Sequence, residues 1–301
     1  MSTPPDAQTV PRDILRQVKL IELRTRGLVN TLFSGEYQSV FKGHGMEFAE
    51  VREYTPGDDY RAIDWNVSAR MGHPYVKKYA EERELTVLFA VDLSGSAQFG
   101  TRGRFKAEVA AEIAAVVAMS AIRNNDRVGL LLFTDQVEKF VPPKKGRRHA
   151  LRLIRDLLAF QPAGKQTDIG SVLDYIGKVI RHRAIVFVIS DFLAEDFERP
   201  LKIVSRLHDM VAVRVSDPRE RSLPHVGYIE LVDAESDEKI LLDTGSRFVR
   251  EQFEHLAGED ETRLRKLFRR LSVDQVEVRT DRSYVGPLIG FFRSRERKLA
   301  R

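Results

Sequence analysis

Apolar and polar positions follow two different periods along the chain. Residues 11–34 repeat apolar side chains at spacings of three and four, with Ile14, Val18, Ile21, Leu28 and Leu32 on one stripe and Thr25 in its gap. That spacing predicts a helix with one buried face. Residues 43–82 are dense in charge. Within them FAEVREY (48–54) and PYVKKYA (74–80) alternate as strands do, Pro56-Gly57-Asp58 reads as a turn, and Asp59 as a helix N-cap.

From residue 85 the pattern becomes strand, helix, strand, helix. LTVLFAVD (85–92) is a continuous apolar run, the kind found in parallel sheets covered on both faces. A helix over 104–124 is predicted to bury Phe105, Val109, Ile113, Val116 and Val117. RVGLLLFT (127–134) is the next strand. VEKFVPP (137–143) pairs with it as an edge, stopped by two prolines. Helices follow over 148–160 and 168–181, the second entered through the loop QPAGKQ, then a strand AIVFVISD (184–191), a helix near 197–208 and a strand MVAVRVSD (210–217). GYIELVD and EKILLDT predict a hairpin. A charged helix from the Ser246 cap to about 271, a strand QVEVRT (275–280) and a helix over 284–299 complete the chain. Such alternation implies an α/β fold with a doubly wound, mostly parallel sheet, whose ligands bind at the carboxyl ends of strands near the switch point.

Composition narrows the class. The chain has 301 residues, 43% hydrophobic and 31% charged, which fits a folded globular protein. It has no cysteine, which excludes disulfides and thiolate chemistry. The opening MSTPPDAQTVPRD has no signal-peptide core, and no apolar run approaches the ~20 residues that span a bilayer, so a cytoplasmic protein without a membrane span is expected. The net charge is +5, from 49 basic and 44 acidic residues. The bases gather at KKGRRH (144–149) and FFRSRERKLAR (291–301). Both read first as solvated surface, because neither interleaves aromatic rings among its charges. Nucleic-acid binding through these clusters is the alternative.

One motif carries candidate chemistry. Asp92, Ser94 and Ser96 form D-x-S-x-S at the tip of the first buried strand. At average composition the triplet arises by chance in roughly one chain in ten of this length. Its position, and a second carboxylate, Asp191, at the tip of another buried strand, give it weight. A carboxylate and hydroxyls are oxygen ligands suited to a hard cation, magnesium first, with manganese or calcium as alternatives. The competing reading makes these residues loop caps. Thr167-Asp168 opens an amphipathic run, and Asp168 is expected to cap its helix. A metal-assisted hydrolase is a weaker alternative: the seven histidines form no H-x-H or H-x-x-x-H pair, and no phosphate loop or nucleophile elbow is present.

The order D-x-S-x-S, T-D, S-D resembles the metal-ion-dependent adhesion site of von Willebrand factor A-like domains. The upstream block Gly43–Phe48, Arg52–Asp59, Arg61–Trp65 and Ser68–Arg70 resembles the family called domain of unknown function 58. The resemblance implies metal ligands at Asp92, Ser94, Ser96, Thr167 and Asp191. Ala97 stands where many relatives have methionine. The resemblance also implies a bacterial or archaeal adaptor that binds proteins beside a MoxR-type AAA+ ATPase. An acidic side chain of the partner would complete the metal shell. The expected organisation is an N-terminal helix and charged block (1–82), an A-like domain (83–283) with a hairpin insertion near 227–243, and a basic C-terminal helix (284–301). The block is expected to pack on the A-like domain. Its charges, Glu47, Glu50, Arg52, Asp58, Asp59, Arg61, Asp64 and Arg70, are expected to form a structural lattice around a buried Trp65 rather than a catalytic or partner-binding cluster.

Overall fold

The computed structural model describes residues 12–28, 45–82, 84–101 and 103–299. They divide into two compact units, one within Phe41–Leu85 and the other containing Thr86–Arg301 together with the N-terminal helix.

The larger unit is built on six strands: β3 (Thr86–Asp92), β4 (Arg127–Phe133), β5 (Val137–Lys144), β6 (Ile185–Ser190), β7 (Asp209–Ser216) and β10 (Asp274–Arg279). Their order is β10-β7-β6-β3-β4-β5, all parallel except the edge strand β5. The chain winds from β3 toward β5, then crosses back to β6 and winds the other way. The switch point therefore lies between the carboxyl ends of β3 and β6. This is the doubly wound, mostly parallel sheet expected from the sequence, with one antiparallel edge.

Continuous apolar runs make these strands central because both faces are covered. On one face Leu88, Ala90, Val186 and Val188 pack with Ile169, Leu173 and Phe268. These come from helices α5 (Ile169–Val179) and α8 (Arg247–Arg270). On the other face Phe89 stacks on Phe187 at 5.6 Å, and Phe187 meets the edge of Phe291 at 6.5 Å, from helix α9 (Val285–Leu299). Each such fully buried side chain contributes about 1.5–3 kcal/mol of transfer free energy.

Helix α1 (Arg12–Leu28) lays Ile21, with Val18 beside it, on Ala115 of α3 (Lys106–Arg123) and Ile154 of α4 (Arg147–Ala159). Thr25, in the gap of the predicted stripe, is also buried. Residues 29–34 of the expected helix, with Leu32, lie outside the described residues. Phe105 is a correction: it is the N-cap of α3 and 46% exposed, and the buried side chain at that end is Lys106. A separate hairpin, β8 (Tyr228–Val232) and β9 (Lys239–Asp243), follows the short helix α7 (Pro218–Arg221). No helix of the described residues is long and apolar enough to cross a membrane.

The smaller unit pairs β1 (Gly45–Glu53) with β2 (Tyr75–Glu82) around a short helix α2 (Trp65–Met71). Its charges hold local geometry. The Arg52 guanidinium donates to both oxygens of Asp58, at 2.8 and 2.6 Å, and holds that carboxyl far below the usual range. Asp59 accepts from the Arg61 amide, and Asp64 caps α2 and pairs with Lys77 at 3.4 Å. Gly43 and His44, and the side chains of Glu47 and Glu50, lie outside the described residues. Trp65 is the second correction: it is 71% exposed, at the first turn of a seven-residue helix that buries no side chain. So short a helix has no face deep enough to cover an indole.

Candidate functional site

The parallel register sets Val91 of β3 beside Ile189 of β6, so the next residues, Asp92 and Ser190, meet at the switch point. Ser190 Oγ donates to Asp92 Oδ2 at 2.6 Å. Asp92 Oδ1 accepts the Ser94 amide at 2.9 Å, a turn that aspartate makes with the backbone two residues on. The Ser94 and Ser96 hydroxyl oxygens lie 3.1 Å apart. Asp191 interacts with the Ser96 hydroxyl and accepts the Leu193 amide at 3.2 Å. Four of the five sequence-predicted residues, Asp92, Ser94, Ser96 and Asp191, thus form one network.

The fifth, Thr167, is placed differently. Its hydroxyl donates at 2.7 Å to Glu235, at the turn of the β8–β9 hairpin. The loop carrying Thr167 is tied to the first loop by the Gly95 amide, which donates to the Lys165 carbonyl at 2.7 Å. Asp168 does what its position predicts, capping α5 through the Ser171 amide and hydroxyl at 2.9 and 2.5 Å.

Lys106 is the residue that sequence reasoning missed. Its ammonium donates to Asp191 at 2.6 Å and to Glu220 at 2.5 Å, and its side chain is 4% exposed. Glu220 also closes a capping box with Asp217 on α7. A signal was present: Lys106 stands three and seven residues before Val109 and Ile113, in register with the buried stripe of α3.

These contacts set the charges. Burial, then the neighbouring Asp191 carboxylate, pushes Asp92 up to about 6 against the hydrogen bonds of Ser190 and Ser94. Burial would raise Asp191 too, but the Lys106 ammonium outweighs it and holds that carboxyl below its usual range. Burial raises Glu220 despite Lys106. Two carboxylates, Asp191 and Glu220, thus meet one ammonium, with Asp92 beside Asp191.

The donor set fits a hard divalent cation. Two neighbouring ligands of octahedral magnesium, each about 2.1 Å from the ion, lie roughly 3 Å apart. The Ser94–Ser96 hydroxyl separation of 3.1 Å matches that edge. Among the described residues no cluster of three or more His, Cys, Asp or Glu side chains is spaced for a metal, so the candidate centre depends on its hydroxyls.

The basic clusters are partly spoken for. Arg147 pairs with Glu22. Arg295 pairs with Asp209 and, at 2.9 Å, with Asp274, which also holds Lys298 at 2.6 Å.

A family model described as "Protein of unknown function DUF58" matches residues 50–263. An uncharacterized protein of Mycobacterium tuberculosis (strain H37Rv) is 31% identical over 285 residues, covering 93% of this chain and 89% of that protein. The uncharacterized protein YeaD of Bacillus subtilis is 26% identical over 118 residues, 39% of this chain and 27% of YeaD. Among solved structures, an aerotolerance-related membrane protein of Bacteroides fragilis covers 71% of this chain and 99% of its own at 15% identity and a TM-score of 0.46. The VWA domain of SpRpn10 covers 68% of this chain and 94% of its own at 14% identity and a TM-score of 0.36.

Proposed function

We infer that this chain, which belongs to the DUF58 family, is a protein-binding module whose recognition surface is the carboxyl edge of its parallel sheet. The observation that carries the reading is the meeting of Asp92, Ser94, Ser96 and Asp191 at the switch point, with donor chemistry that fits a hard cation. Asp92, Ser94, Ser96, Thr167 and Asp191 are the residues proposed to hold it. A magnesium ion, or manganese or calcium in its place, would supply the positive charge that draws an acidic side chain of a partner.

The chain's own residues prepare that surface. Ser190 and the Ser94 amide fix both oxygens of Asp92. Lys106 and the Leu193 amide fix both oxygens of Asp191. With its carboxylates locked, the site keeps one geometry, with Ser94 buried and its hydroxyl against that of the half-buried Ser96. The sequence offers no paired acid and base that would turn such a site to hydrolysis, so binding is the activity proposed. The proposed partner is the AAA+ ATPase of MoxR type that the family resemblance implies, or a protein on which that ATPase acts.

The test is complex formation between the purified chain and that ATPase. The complex is expected with magnesium, and should weaken with chelator and in Ser94→Ala or Thr167→Ala, each of which removes one loop hydroxyl and leaves the fold intact. Charge removal at Lys144, Lys145, Arg147 and Arg148 should matter less. If that variant loses the partner while Asp92→Ala keeps it, a basic-patch reading replaces this one; steep salt dependence without chelator sensitivity would say the same.

A further inference from the structure

Ala212 of β7 packs in one cluster with Leu264, Leu267 and Phe268 of α8. Arg214, two residues further along the strand, lies on the same face. There the apolar cover ends. Ala257, two turns before Leu264 on the helix, is small, and a cavity of about 340 Å³ opens between α8 and the ends of β7 and β10. The Arg214 side chain lines it, and its Nε is buried without a hydrogen-bond partner. A buried donor left unmet is rare in a folded protein and calls for an acceptor. Glu277 stands beside Arg214 in the parallel register, yet it turns to Arg265 at 3.1 Å.

Three more arginines, Arg221, Arg279 and Arg282, line the same cavity. Arg279 gives Nε and Nη2 to Asp281, at 3.0 and 2.9 Å, which leaves Nη1 outside that pair. Arg221 reaches Glu261 only at 3.5 Å and Arg282 reaches Asp281 only at 4.0 Å, and their side chains are 65% and 71% exposed, so neither is fixed in place. The acids of the wall are better satisfied. Glu220 accepts from Lys106 at 2.5 Å and Glu261 from Arg265 at 2.8 Å. Asp217 accepts the hydroxyls of Thr101 and Thr280 at 2.7 and 2.6 Å. Ser283 adds a hydroxyl whose oxygen accepts the Val285 amide at 3.3 Å, so its proton remains to be donated.

We propose that this cavity binds a phosphate group, with Arg214 as its buried anchor and Arg221, Arg279 and Arg282 as its rim. The planar donor fork of arginine matches the oxygens of carboxylate and phosphate alike. One fork satisfies a carboxylate, whereas several around one cavity suit the greater charge and oxygen count of phosphate. A second cavity of about 360 Å³ shares Arg221 and Arg279 as walls. The two together have the size of small-molecule sites, so the second can take the group to which an esterified phosphate is attached. The ligand is thus free phosphate or a small phosphate ester. The site is separate from the switch point, and the proposal holds whether or not a cation binds there.

The test titrates the full chain with inorganic phosphate by calorimetry, in a buffer free of phosphate and divalent cations. Saturable binding of one phosphate per chain is expected. Arg214→Gln should weaken it roughly tenfold or more, the usual loss when a charge-assisted hydrogen bond is removed. Arg282→Gln, on the exposed rim, keeps the fold intact and should weaken it by a smaller factor. Phosphate should raise the melting temperature of the wild type and leave that of Arg214→Gln unchanged. Glycerol 3-phosphate separates the two sources: tighter binding than inorganic phosphate assigns the cavity to an ester, and weaker binding assigns it to free phosphate. A wild-type chain that shows no saturable binding at millimolar phosphate overturns the proposal. So does equal phosphate affinity in the wild type and both variants, or acetate bound as tightly as phosphate.

Discussion

Replacing Lys106 by methionine removes the one cation buried among the carboxylates of the site. The side chain keeps its length, so packing along α3 is little changed. Lys106 and Asp191 are each 4% exposed and their charged atoms lie 2.6 Å apart, so water screens the pair very little. Their attraction is about 6 kcal/mol at an effective dielectric near 20. Breaking a buried pair by removing one partner costs about 3–5 kcal/mol, because the other charge stays behind. Glu220, 24% exposed, retains access to water and adds less. A loss of about 3–5 kcal/mol is therefore expected, equivalent to a fall in Tm of roughly 6–20 °C. The assay is urea unfolding followed by circular dichroism, with chelator present so that bound cations contribute nothing. The double variant Lys106→Met/Asp191→Asn should be more stable than Lys106→Met alone, since it removes the orphaned charge. A single-variant loss under about 1 kcal/mol, or a double variant no more stable than the single, would refute the reasoning.

Two further outcomes follow from burial. Trp65→Ala should change stability by no more than about 0.5 kcal/mol, as exposed substitutions do, and the wild-type indole should emit as one in water; a large loss or a blue-shifted spectrum would contradict its 71% exposure. His208 has its pKa lowered from 6.5 by burial, then by Arg183, so the unfolded chain takes the proton more readily. Its neutral form favours folding above that pH, and this contribution is lost as pH falls through 6.5 toward the folded value. The urea midpoint of His208→Asn should therefore vary less than that of the wild type across this window.

The sheet was legible because its strands are buried on both faces. LTVLFAV, RVGLLLF and AIVFVIS are apolar apart from Thr86, Arg127 and Ser190, each at or next to an end of its run. Asp92 and Asp191 were legible because each ends such a run, and strand ends in a doubly wound sheet converge. Lys106 was not, because a lysine at a helix start reads as solvated; only its register with Val109 and Ile113 marks it as buried. Glu235 was hidden by distance. It meets Thr167 across 68 residues of sequence, through a hairpin turn whose own pattern fixes only local pairing. Phe105 and Trp65 depart from the expected burial for a shared reason: a large aromatic side chain does not by itself demand a core. Phe105 instead occupies the N-cap position at the start of a helix, and Trp65 sits on a seven-residue helix that buries no side chain.

The central claim is that the switch point holds a divalent cation for protein recognition. Titration calorimetry of the purified chain and of Asp92→Ala with magnesium tests it most directly. The account predicts one dominant site in the wild type and none in a folded Asp92→Ala. Equal magnesium binding by the two proteins would contradict it.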